Sequence, residues 1–130
     1  MGANELNMQR ENEEEILQII RSRNSPKIIK DKLEDYHEND IASILPKLSV
    51  KERESLYRLL ENDLLADIME HLEEEESTVY LQEMDPRKAA EVLEQMEPDE
   101  AVDLLKKTDS PAKKAWMELM SDEARAALRS

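Results

Sequence analysis

Cysteine and phenylalanine are absent from this 130-residue chain, and its only glycine is Gly2. Without cysteine there are no disulfides, no thiolate metal ligands and no thiol nucleophile, a composition that suits a reducing compartment. Without internal glycine, the tight hairpin turns that need positive φ are scarcely available, which disfavours a sheet-rich fold. Aromatics amount to one tryptophan and three tyrosines. Apolar runs stop at three or four residues, so no segment reads as a membrane span or signal-peptide core, and the chain is expected to be soluble. Basic side chains are also in short supply, 18 against 32 acidic ones, for a formal net charge of −14. That balance disfavours nucleic-acid phosphates and favours cations or basic partners.

What remains is rich in helix formers and strongly periodic. Apolar residues recur at helical spacing in short stripes, as in Ile41, Ile44, Leu45 and Leu48, or Leu65, Ile68, Met69 and Leu72, or Ala89, Val92, Leu93 and Met96. These stripes repeat every 24 residues. One column holds Ile44, Ile68, Val92 and Trp116, the next Leu45, Met69, Leu93 and Met117, and a third Leu48, Leu72, Met96 and Met120. A fourth column, Ala42, Ala66 and Ala90, departs only in the last unit, at Lys114, as terminal repeats commonly do. A weaker copy precedes them, from Ile16 to Leu33.

The second half of each unit carries its own stripe: Leu56, Leu59 and Leu60, then Val79, Tyr80 and Met84, then Ala101, Leu104 and Leu105. Each unit is thus a helical hairpin. Oxygen side chains and prolines fall where helices must begin, at Ser25-Pro26, Ser49 with Glu52, Asp85-Pro86, Glu97-Pro98, Ser110-Pro111 and Ser121. Pro46 lies inside a stripe and predicts a bend or an early helix end. The fold class is all-α, a superhelical stack, or α-solenoid, of about ten short helices. Residues 1–10 are expected to be a flexible leader, with the domain proper spanning 11–130.

No catalytic constellation is present: there is no phosphate-binding glycine loop and no metalloprotease histidine motif, so the reading is of a protein that is not an enzyme. His37 and His71 read as surface residues, the tyrosines and methionines as packing, and Trp116 as a large core residue closing the stack. Carboxylates are the abundant chemistry, and hard oxygen ligands suit Mg²⁺ or Ca²⁺. Asp99 and Asp103, four apart on one helix, share a face, with Glu100 adjacent and Asp67 on the preceding hairpin. The run Glu73 to Glu76 opens a helix, where the dipole accounts for acidic side chains.

The order of alanine-led and proline-led helices in one 24-residue frame is similar to the cytosolic N domain of MgtE magnesium transporters. Asp40-Ile-Ala, Leu64-Leu-Ala-Asp-Ile-Met, Asp85-Pro-Arg-Lys-Ala-Ala-Glu-Val-Leu and Met96-Glu-Pro-Asp-Glu-Ala-Val-Asp-Leu-Leu carry the resemblance, over most of the chain. It implies a regulatory domain at the cytoplasmic face of the cell membrane, followed in the same polypeptide by CBS domains and a pore that is dimeric in the whole transporter. It further implies Mg²⁺ as the ion sensed, weakly bound by the isolated domain, with Asp67, Asp99, Glu100 and Asp103 as the ligating carboxylates. Two other readings stay open on the same repeat: the middle region of flagellar rotor proteins, whose Glu-His-Pro-Gln signature is absent here, and a generic helical-repeat adaptor for a basic peptide.

Overall fold

In the computed structural model, which describes residues 2–129, helices open at a fixed interval. One series begins at Glu38, Asn62, Pro86 and Ser110 and the other at Val50, Glu74, Pro98 and Asp122, successive members lying 24 positions apart. Ten α-helices and one 3-10 turn make up the secondary structure, with no strand among the described residues. They fall into two compact units, one up to Leu60 and one from Glu61.

The first unit comprises α1 (Gly2–Ile20), α2 (Pro26–Leu33), α3 (Glu38–Ile44), the 3-10 turn Leu45–Lys47 and α4 (Val50–Leu59). Residues 2–10, expected to form a leader, are the first half of α1 and helical. From α1 onward the unit is cross-tied: Asn12 Nδ2 donates to Asp40 at 3.3 Å, the Tyr36 hydroxyl to Glu15 at 2.6 Å, and Lys47 pairs with Glu13 at 3.2 Å. Beneath these polar ties, Ile16, Leu33, Ile41, Ile44 and Leu45 are fully buried. Pro46 acts as expected: lacking an N–H to donate, it ends α3 at Ile44 and turns the chain through the 3-10 segment.

The second unit holds α5 (Asn62–Glu70), α6 (Glu74–Glu83), α7 (Pro86–Gln95), α8 (Pro98–Lys106), α9 (Ser110–Leu119) and α10 (Asp122–Arg129). Odd helices pack on odd, α5 on α7 and α7 on α9; even helices pack on even, α6 on α8 and α8 on α10. Leu65, Ile68, Met69, Leu81, Val92, Leu93 and Trp116 fill the space between the two layers. The scarcity of glycine shows in the corners. No described residue other than glycine has positive φ, and α6, α7 and α9 end instead on Met84, Met96 and Met120 in extended backbone, each driving a buried side chain into the core.

One part of the expected stripe is corrected. Val79 is 53% exposed, and the inward face of α6 runs through Ser77, Thr78, Tyr80, Leu81 and Met84. The two hydroxyls are tolerated inside because each donates to a carbonyl, Ser77 to Met69 at 3.2 Å and Thr78 to Glu75 at 2.8 Å.

Candidate metal-binding surface

The carboxylates of interest all belong to the second unit. Asp67 projects to solvent from α5. Asp99 and Glu100 occupy the first turn of α8, where acidic side chains complement the helix dipole, and Asp103 lies one turn further on. Pro98 opens this helix with its fixed φ, and Ala101, Leu104 and Leu105 bury the opposite face, so Asp99, Glu100 and Asp103 are held outward.

The structure divides the four predicted residues. Asp99 and Asp103 border one open depression of about 470 Å³ together with Lys106 and Arg129. Glu100 and Asp103 line a second, of about 280 Å³, opposite Glu70 at the end of α5 and Glu74 at the start of α6. Asp67 borders neither depression. Among the described residues these carboxylates make no group of three whose oxygens lie within 4.8 Å of one another. The floor of the second depression is Met69, Met96 and Leu104.

Glu70 and Glu74 are the residues that sequence reasoning missed. Glu70 follows Asp67 by three positions and so shares its side of the helix, a spacing that could have flagged it. Glu74 stood in a run attributed to the helix dipole. Their electrostatics differ. Burial, then the charges of Glu70, Glu97 and Asp103, and last a hydrogen bond with Glu70 push the Glu100 carboxyl above its usual range. Glu74 is compensated instead: Lys107 reaches both Glu74 and Glu75 at 3.1 Å, and these two hydrogen bonds raise the Lys107 pKa.

This arrangement tests well against a hydrated divalent cation. Oxygen donors surround an open depression, and burial together with neighbouring negative charge raises the Glu100 pKa. Mg²⁺ keeps several waters and takes one or two protein carboxylates, so closely convergent ligands are not required.

The profile of the MgtE intracellular N domain matches residues 36–130. Two solved structures share the fold. The crystal structure of the soluble part of a magnesium transporter aligns with a TM-score of 0.81 at 28% identity, over 93% of this chain and 48% of that one. The crystal structure of the cytosolic domain of the Mg²⁺ channel MgtE in complex with ATP aligns with a TM-score of 0.72 at 25% identity, over 81% of this chain and 44% of that one. The chain therefore spans about half the length of the solved proteins it resembles. No curated protein sequence matches it. Helices α3 to α10, with the proline-led starts of α7 and α8 and the α8 carboxylates, lie within the matched segment, and the chain belongs to the MgtE intracellular N domain family.

Proposed function

We propose that this domain is the Mg²⁺-sensing cytosolic arm of a magnesium transporter, acting by ion-bridged docking onto CBS domains of the same polypeptide. The observation that carries the reading is the acidic depression between Glu70 and Glu100, where burial and then like charges raise the Glu100 pKa. At low Mg²⁺ such a face repels any second acidic surface. At high Mg²⁺ a hydrated ion shared between Glu100 or Asp103 and a facing carboxylate offsets that repulsion. An ion that binds only the docked arrangement draws the population toward it, and the pore closes as a consequence. Asp67 and Asp99, exposed to either side, are the further carboxylates through which a facing domain is bridged. Each site is half-built on this chain alone, so the isolated domain binds Mg²⁺ weakly.

Amide resonances followed through a Mg²⁺ titration test this. Millimolar Mg²⁺ is expected to shift residues 67–70 and 99–103 in the domain, and Glu70→Gln with Glu100→Gln is expected to abolish the shifts around Glu100. In the whole transporter the same pair is expected to raise the Mg²⁺ concentration needed for closure by roughly tenfold, about 1.4 kcal/mol of lost coupling. A transporter whose Mg²⁺ response is unchanged by the pair and by Asp67→Asn, Asp99→Asn and Asp103→Asn together does not use this face.

A further inference from the structure

Lys107 closes α8 at its C-terminal end and reaches across to the start of α6, where its Nζ lies 3.1 Å from Glu74 and 3.1 Å from Glu75. Glu74 belongs to the depression that Glu70, Glu100 and Asp103 also line. Lys107 follows Asp103 by four positions and Glu100 by seven, so the three share one face of α8. An ammonium group thus stands at the edge of the acidic depression, bound to one of its carboxylates. Glu70, Glu100 and Asp103 pair with no cation among the described residues.

The helical stack does not require this tie. One repeat back the place of Lys107 is taken by Glu83, and two back by Leu59, while Glu74 corresponds to Val50, Pro98 and Asp122. Nor is the tie a large source of stability. Lys107 and Glu74 leave 44% and 43% of their side chains in solvent, where an ion pair contributes little and is weakened by salt. Its consequence is electrostatic: a divalent cation entering the depression meets one free carboxylate fewer and one positive charge more. The two hydrogen bonds raise the Lys107 pKa, so the side chain stays charged at neutral pH. The same ammonium group shows that this rim holds a cation between two carboxylates.

We propose that Lys107 is a tethered competitor of Mg²⁺, a positioning residue that holds Glu74 away from the ion and so sets the concentration at which the depression fills. This rests on the reading of the depression as a Mg²⁺ site. As Mg²⁺ rises, the hydrated ion displaces the ammonium group from Glu74, Lys107 keeps Glu75, and Glu74 joins Glu70, Glu100 or Asp103 around the ion. An ion that must displace a resident cation binds with an apparent affinity reduced by the fraction of time the resident is away. Filling is thereby shifted to higher Mg²⁺ than the bare carboxylates would need.

The test follows amide shifts of the 130-residue chain through MgCl₂ titrations at constant ionic strength. Lys107→Gln is expected to tighten Mg²⁺ binding at Glu70, Glu74, Glu100 and Asp103 by roughly threefold to tenfold. Lys107→Arg, which keeps the charge, is expected to bind no more tightly than the parent. Lys114→Gln makes the same change in net charge from α9, outside the depression, and is expected to leave the affinity unchanged. Glu74→Gln is expected to cancel the gain of Lys107→Gln. A role confined to tying α8 to α6 predicts no gain in Mg²⁺ affinity from any of these variants. Equal affinity in the parent and Lys107→Gln, an equal gain from Lys114→Gln, or a gain that survives Glu74→Gln would each overturn the competitor and leave the Mg²⁺ site standing. No saturable shift in any of these chains would remove site and competitor together.

Discussion

Glu52 takes part in three short hydrogen bonds at once. Its carboxylate accepts from the Ser49 backbone N–H at 2.9 Å and from Arg21 Nε at 2.9 Å, while its own N–H donates to the Ser49 hydroxyl at 3.1 Å. The first and last of these close a capping box at the start of α4. The hydrogen bond from Arg21, then that from the Ser49 backbone, bring the Glu52 pKa down to about 2 from its ordinary 4.5. A depressed carboxylate contributes stability that is complete above its unfolded pKa and lost as pH falls through its folded one. Glu52 therefore weakens the first unit progressively between about pH 4.5 and pH 2. Ser49→Ala is expected to cost about 1 kcal/mol at pH 7. Glu52→Gln is expected to lower the urea midpoint at pH 7 and to lower it much less near pH 2, where the parent carboxylate is about half protonated. An equal effect at both pH values would show that the Glu52 charge plays no part.

Helix α9 is anchored by a single buried side chain. It packs along α7 through Trp116, which is 2% exposed and is the one fully buried residue of the helix. Trp116→Ala is expected to cost about 3–5 kcal/mol, since it empties a buried site that the surroundings refill only in part. Amide hydrogen exchange is expected to quicken in α9 and α10 before α5, and uniform protection across the second unit would contradict this. Helix boundaries like those of α4, α7 and α8 were legible in the sequence because caps and prolines act within a turn of where they stand. The alanine column was legible too, and Ala42, Ala66 and Ala90 are each within 2% of full burial. Val79 was misread because a β-branched apolar residue beside Tyr80 looks inward from spacing alone, whereas the register of α6 depends on which residue docks on Met69. The Arg21 tie to Glu52 and the meeting of Glu70 with Glu100 were out of reach. Both join residues about thirty positions apart through tertiary packing, and charged side chains carry no periodic signal.

Over the molecule, 32 acidic groups against 18 basic ones make self-repulsion a standing cost of folding. Screening relieves it, because at 0.1 M ionic strength the Debye length is about 10 Å and charges farther apart cease to interact. Added NaCl is therefore expected to raise the urea midpoint at pH 7 and then to plateau. MgCl₂ separates a site from a diffuse atmosphere. An ion held at the Glu70–Glu100 depression stabilises the folded state by RT ln(1 + [Mg²⁺]/Kd), about 1.4 kcal/mol at ten times Kd, on top of screening. At matched ionic strength MgCl₂ is thus expected to exceed NaCl in the parent chain. The excess is expected to shrink in Glu100→Gln, which already lacks the charge that Glu70, Glu97 and Asp103 oppose. Coincident NaCl and MgCl₂ curves would mean that the acidic face meets Mg²⁺ only as an ionic atmosphere, and that specific binding waits on the facing domain.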